Sequence, residues 1–187
     1  MAPLARRLLA ELSDYRRNAS SFDHLLSLSP VSDEDLLTWH ARLKGPKDSP
    51  FEDFDFDLSI KVPEAYPSKP PSIYFTTQLC HPNVAVKTGE ICLDVLQSEW
   101  SPAWTLASAC TAVQALLACP EPSSPLNVDA ANLVRSGDKM AYYSIARLRP
   151  ALLSFRIATV QTVACPDTAI TDCTSTTPIQ TRCHITS

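Results

Sequence analysis

Phe54-Asp55-Phe56-Asp57-Leu58-Ser59-Ile60-Lys61-Val62 alternates apolar and polar residues without a break. A period of two sends successive side chains to opposite faces, so the stretch predicts a strand with one buried face. Upstream, Leu37, Trp39, Ala41 and Leu43 alternate in the same way with Thr38, His40, Arg42 and Lys44, and the turn Gly45-Pro46-Lys47-Asp48-Ser49-Pro50 separates the two runs. Downstream, Pro63, Pro67, Pro70 and Pro71 end the central strand, because proline has no backbone donor for a ladder. Ser72 to Thr76 adds a further short strand. Strands joined by connections this short pair antiparallel, as a meander with one face toward a core.

The meander is flanked by helices. Leu4, Leu8, Leu12 and Tyr15 recur at helical spacing, with Arg6, Arg7, Glu11 and Asp14 on the other faces. A polar linker follows this first helix. Thr105 is placed to cap a second one, whose apolar stripe is Leu106, Ala109, Cys110, Val113, Leu116 and Leu117, and Pro120 stops it. Two more helical stretches run over 128–134 and 138–148. The whole is an α+β core domain over residues 1–149. Residues 150–187 are Thr-rich and lack periodicity beyond Phe155–Val163. They bury too little to repay their ordering entropy, which predicts a disordered C-terminal tail.

Composition excludes several function classes. A chain of 187 residues buries about 70% of its unfolded surface and needs neither disulfides nor a metal to hold a core. The formal charge of −4 and the lack of any Lys/Arg run disfavour nucleic-acid binding. No apolar run reaches membrane-spanning length. Met1 to Leu12 carries Glu11 and reads as a mature helix rather than a targeting segment. Seven cysteines, an odd number, without a secretion signal point to a reducing, cytoplasmic setting.

Gln78 to Trp104 has no lasting period, and a long irregular stretch inside a compact domain is usually functional. As zinc ligands, Cys80, His81 and Cys92 make a poor set, since no Cys-x-x-Cys pair occurs. A Gly-x-Ser-x-Gly elbow and a phosphate-cradling glycine loop are missing as well. What remains is one thiol in Gly89-Glu90-Ile91-Cys92-Leu93-Asp94. Cys110 and Cys119, on the helical stripe or at its end, read as small buried hydrophobes. A thiol outside regular structure is reachable, and its thiolate is the best nucleophile near neutral pH. Asn83 offers a neutral amide donor for an oxyanion. His81 is the candidate base, although the following Pro82 holds it extended or turned and favours a structural, hydrogen-bonded role. A cysteine without a dedicated base suits thioester exchange, because a thioester is already activated.

His81-Pro82-Asn83, Gly89-Glu90-Ile91-Cys92-Leu93-Asp94-Val95-Leu96 and Trp100-Ser101-Pro102-Ala103 together resemble the signature of the ubiquitin-conjugating (E2) enzymes. The initial helix with Arg6-Arg7, the Gly45-Pro46 turn, Tyr66 to Pro71 and Ser124-Pro125-Leu126 follow in the same order, over about residues 1–149. The resemblance implies an N-terminal helix, a four-stranded antiparallel meander and C-terminal helices. It implies an acyltransferase that takes ubiquitin from the activating (E1) enzyme as a thioester on Cys92. By the same likeness Asn83 is the oxyanion residue or the brace of the active-site loop, with His81 and Ser124 beside it. Arg6 and Arg7 match the E1-facing helix, or else are a solvated helix face. Pro67, Ser68 and Lys69, with Pro102 and Ala103, match the two ligase-facing loops. No metal or organic cofactor is implied, and ATP is consumed by the activating enzyme upstream.

Within the family, Cys80-His81-Pro82-Asn83-Val84, the nine-residue interval from Asn83 to Cys92 and Ser124-Pro125-Leu126-Asn127-Val128-Asp129 resemble the peroxisomal branch. That implies a membrane anchor protein as partner at the cytosolic face of the peroxisome and an import receptor as acceptor. Cys80 stands where many members have an aromatic residue and Ser124 where many have an acid. Those groups help to deprotonate an incoming lysine, whose pKa of about 10.4 exceeds the roughly 8.5 of a cysteine. A cysteine acceptor is therefore the alternative to lysine, unless Cys80 merely packs under the loop and Ser124 is a tolerated change. Ser68, where HECT-type ligases meet a large aromatic, favours RING-type ligases. The rival readings are a catalytically inactive ubiquitin- or ligase-binding module and a conjugating enzyme for a ubiquitin-like modifier. Cys92 with Asn83 argues against the first, and the acidic balance against the second.

Overall fold

The computed structural model describes residues 3–91 and 100–148. Helix α1 (Pro3–Arg17) leads through a single 3-10 turn into four strands, β1 (Leu25–Pro30), β2 (Thr38–Lys44), β3 (Asp55–Lys61) and β4 (Ser72–Phe75). Helices α2 (Leu106–Ala118) and α3 (Val128–Arg135) follow, and α4 runs over 139–148. The strands lie in chain order in one sheet, each antiparallel to the next.

The alternating residues all face one way. Trp39 lies opposite Ile60, Ala41 opposite Leu58 and Leu43 opposite Phe56, and the row continues through Leu58 to Phe75 and Ile60 to Ile73 on β4. All are buried, and with Leu106, Ala109, Cys110, Val113 and Leu117 of α2 and Leu8 of α1 they make one core. Thr105 caps α2 as its sequence suggests, accepting from Ser108 N while Ser108 Oγ accepts from Thr105 N.

Three details differ from the sequence reading. The linker after α1 contains strand β1, which buries Leu25 and Leu28 but does not alternate, because a bulge interrupts its register between Leu25 and Ser27. Cys110 is buried, and burial pushes its thiol up to about 12, but Cys119 at the end of α2 is exposed rather than buried. Glu11, read as part of the polar face of α1, lies inside the protein at 8% exposure. The C-terminal tail from residue 150 onward lies outside the described residues.

Candidate active site

The segment leading to Cys92 is a hairpin hung on the edge of β4. Phe75 N donates to Gly89 O (2.8 Å), Gly89 N to Ala85 O (2.8 Å) and Ala85 N to Glu90 O (2.9 Å). Tyr74 bridges Glu90, and Val84 bridges Ile91. Gly89 is required at the turn: its φ is +69°, and a Cβ there would stand 1.9 Å from Phe75 O. Both Val84 and Ile91 are buried, so Ile91 is fixed against the residue that follows Asn83. Cys92 itself, with the rest of 92–99, lies outside the described residues.

The His-Pro-Asn turn is held from every side. The ring of His81 is buried, with Nε2 3.1 Å from Leu116 O and Nδ1 accepting from Asn83 N at 3.1 Å. A carbonyl only accepts and an amide N–H only donates, so Nε2 carries the hydrogen of a neutral ring. Burial lowers the His81 pKa to about 4, which keeps the ring neutral. With both nitrogens engaged, His81 has none left to act as a base.

Asn83 is fully buried, and both hydrogens of its side-chain amide are engaged. Nδ2 donates to Glu121 O (2.6 Å) and Ser124 O (3.2 Å), while Oδ1 accepts from Glu121 N (2.8 Å). The carbonyl of Pro82 accepts from both Leu126 N and Asn127 N at 2.9 Å. Asn127 caps α3 by accepting from Ala130 N (3.2 Å) and donates from Nδ2 to Cys80 Sγ (3.5 Å), which places Cys80 beneath the turn. Ser124, half-buried, meets Asn83 through its carbonyl. The turn and the 121–127 loop are thus one unit that borders Ile91.

Several residues matched to partner-facing roles are joined by a second set of hydrogen bonds. Trp100 Nε1 donates to Pro67 O at 2.8 Å, and its ring lies between those of Tyr66 (5.9 Å) and Trp104 (5.8 Å). Ser68 and Lys69 on one loop and Pro102 and Ala103 on the other are exposed. On α1, Arg6 is exposed, whereas Arg7 turns inward. Arg7 Nε donates to Glu11 Oε1 (2.6 Å), and its guanidinium also reaches Trp104 O (3.0 Å) and Pro102 O (3.3 Å).

Sequence reasoning did not single out Glu121, Asn127, Leu116 or Glu11. Three of these act wholly or partly through backbone groups, which leave no trace in residue type. The i, i+4 spacing of Arg7 and Glu11 was the one available signal. Among the described residues no group of three or more His, Cys, Asp or Glu side chains is placed to hold a metal.

One helix before a four-stranded meander, helices after it, and a braced His-Pro-Asn turn at its edge define the ubiquitin-conjugating class. Residues 7–149 match the family described as ubiquitin-conjugating enzyme. The chain is 47% identical over 142 residues to ubiquitin-conjugating enzyme E2 16 of Schizosaccharomyces pombe, covering 76% of this chain and 88% of the relative. It is 53% identical over 116 residues to Protein PEROXIN-4 of Arabidopsis thaliana, covering 62% and 74%. Among solved structures, the Pex4p of H. polymorpha, in complex with the soluble domain of Pex22p, aligns with a TM-score of 0.76 at 39% identity, over 80% of this chain and 97% of that one. The chain belongs to the ubiquitin-conjugating (E2) enzyme family, and it is similar to members named for the peroxin Pex4.

Proposed function

We propose that Cys92 accepts ubiquitin from the activating enzyme as a thioester and, with a RING-type ligase, passes it to a protein acceptor. In the first step the Cys92 thiolate attacks the thioester carbonyl, a new C–S bond forms, and the activating enzyme's thiolate leaves. In the second, the acceptor's nucleophile displaces Cys92. Neither step needs a metal or an organic cofactor, and ATP is consumed upstream. The observation that carries the reading is the braced unit of His81, Pro82 and Asn83 against residues 121–127, which borders Ile91, the residue before Cys92. Asn83 is a positioning brace in this scheme, because both of its amide hydrogens are spent on carbonyls, and His81 is a neutral structural ring. Arg6 and the exposed loop residues Ser68, Lys69, Pro102 and Ala103, with Pro67 beneath them, form the face for the activating enzyme and the ligase.

The test is a loading assay with activating enzyme, ATP and ubiquitin on a non-reducing gel, alongside Cys92→Ser. The expected result is a reductant-labile adduct on the wild type that becomes a reductant-stable ester, or disappears, in the variant. No adduct with a folded chain and a working control enzyme would overturn the assignment and favour another modifier or a non-catalytic module.

The acceptor we propose is a cysteine, as on a peroxisomal import receptor, in preference to lysine. Position 124 supplies a serine, Cys80 is buried under the turn instead of flanking the site, and the carboxylate of Glu121 is engaged by Ser123. Among the described residues, position 124 therefore offers no carboxylate to deprotonate an ammonium. The branch likeness, with the Pex22p complex of the H. polymorpha relative, supports recruitment to the cytosolic face of the peroxisome by a membrane anchor protein. Among the described residues no helix is long and apolar enough to cross a membrane.

A further inference from the structure

We infer that Glu11 is a positioning residue that sets the face on which the activating enzyme and the ligase dock; this rests on the conjugating-enzyme reading above. Its carboxylate is buried, and every strong donor around it comes from a different part of that face. Oε1 accepts from Arg7 Nε (2.6 Å) and Tyr66 OH (2.8 Å). Oε2 accepts from Leu106 N (2.8 Å) and, at 3.0 Å, from the same Tyr66 hydroxyl.

Each donor terminates a docking segment. Arg7 follows Arg6 on α1. Tyr66 precedes Pro67-Ser68-Lys69. Leu106 opens α2 directly after the Trp100–Trp104 loop, so the carboxylate also satisfies one of the N–H groups left without an intrahelical partner at a helix start, where the dipole favours an anion. Two further bonds close the frame: Arg7 onto the carbonyls of Pro102 and Trp104, and Trp100 onto the carbonyl of Pro67. Burial raises the Tyr66 pKa first, and its bond to Glu11 raises it further, so the phenol stays a donor.

A buried charge is a poor way to gain stability alone, since packed apolar residues often do as well. What this one adds is direction. The exposed residues Ser68, Lys69, Pro102 and Ala103 owe their relative placement to the chain on either side of them, and that chain is what Glu11 joins. None of its bonds reaches the His81–Ile91 segment, so the network separates docking from chemistry.

Glu11→Gln keeps the side chain's size while removing the charge and turning an N–H toward donors. Tyr66→Phe removes one donor and keeps the ring. With the full chain, amide spectra of Glu11→Gln are expected to shift at residues 66–69 and 100–106 and to stay in place at 81–91. The KM for this chain in loading by activating enzyme, and the half-saturating concentration of an isolated RING domain that stimulates the wild type, are expected to rise about tenfold, equivalent to roughly 1.4 kcal/mol of docking. Tyr66→Phe should move both in the same direction by less. Ligase-free discharge of the loaded chain to excess free cysteine should stay within about twofold of wild type, which is the mark of lost docking with intact chemistry.

Unshifted loops with unchanged KM would overturn the inference. So would losses that reach ligase-free discharge and the amides of 81–91 equally, since a general loss of stability explains those. If the wild type takes no ubiquitin at all, the enzyme reading fails, and the displacement of the two loops still decides whether Glu11 positions them.

Discussion

Replacing Asn83 by alanine separates a brace from an oxyanion donor. Removal of the amide leaves Glu121 N–H and the carbonyls of Glu121 and Ser124 without their partner, in a site where Asn83 is fully buried and the loop partly so. A buried polar group left unpaired costs roughly 1–3 kcal/mol, and water reaching the loop repairs part of it, which puts the sum at about 3 kcal/mol. For a domain of this size each kcal/mol moves the unfolding midpoint by roughly 2–4 °C, so Asn83→Ala should lower it by about 6–12 °C. Asn83→Asp should lower it at least as much. It keeps an acceptor for Glu121 N–H but turns a carboxylate oxygen toward two carbonyl oxygens, and acidification should relieve part of that loss. Thermal unfolding followed by circular dichroism measures both, and exchange of the Glu121 amide reports whether the loop has come loose. An Asn83→Ala midpoint within about 1 °C of wild type, with slowed acyl transfer, would rule out the brace, because the amide would then be holding nothing but the reacting oxygen.

Other expectations follow from the same geometry. His81 has a pKa of about 4 in the folded chain against about 6.5 unfolded, so the unfolded state takes the proton first as pH falls. The stability it confers is complete above pH 6.5 and lost toward pH 4. On the order of 3 kcal/mol should therefore disappear from the gap between wild type and His81→Gln across that window in urea titrations, and a flat gap would contradict it. Gly89→Ala should cost more than Gly137→Ala, although both have positive φ, because only the first drives a Cβ into Phe75 O while the second meets nothing within 4 Å. The left-handed conformation costs each about 1–2 kcal/mol, so equal midpoints would show that the hairpin yields without penalty. Ser124→Asp should raise discharge of the loaded chain to free lysine while leaving discharge to free cysteine little changed, and a wild type that already prefers lysine would defeat the cysteine-acceptor proposal.

The strands that alternate were legible because each buries one side in the common core, and burial imprints a period on sequence. Strand β1 was not, since its bulge lets one strand carry an unmatched residue and so breaks the period that pairing would otherwise impose. Helix α2 could be placed by Thr105 and Pro120, because a cap and a stop are local chemistry. Glu11 shows the opposite case. An acid four residues after an arginine on an amphipathic helix reads as a solvated pair, and only Tyr66 and Leu106, 55 and 95 residues away, turn it inward.

The same division runs through the site. His81, Asn83 and Cys92 were visible because rare residue types stood in an irregular stretch. What fixes the first two is mostly backbone: the carbonyl of Leu116, both backbone groups of Glu121 and the carbonyl of Ser124. A backbone group is the same at every position, so no residue type at 116, 121 or 124 announces the contact. The consequence is chemical. Since the brace reads carbonyls and amides, the side chains at 121 and 124 stay free to vary without loosening the turn, and acceptor preference can change there while the carrier remains intact. Ser124 occupies such a position, and Ser124→Asp is therefore expected to alter which nucleophile is served without lowering the unfolding midpoint as the loss of Asn83 does.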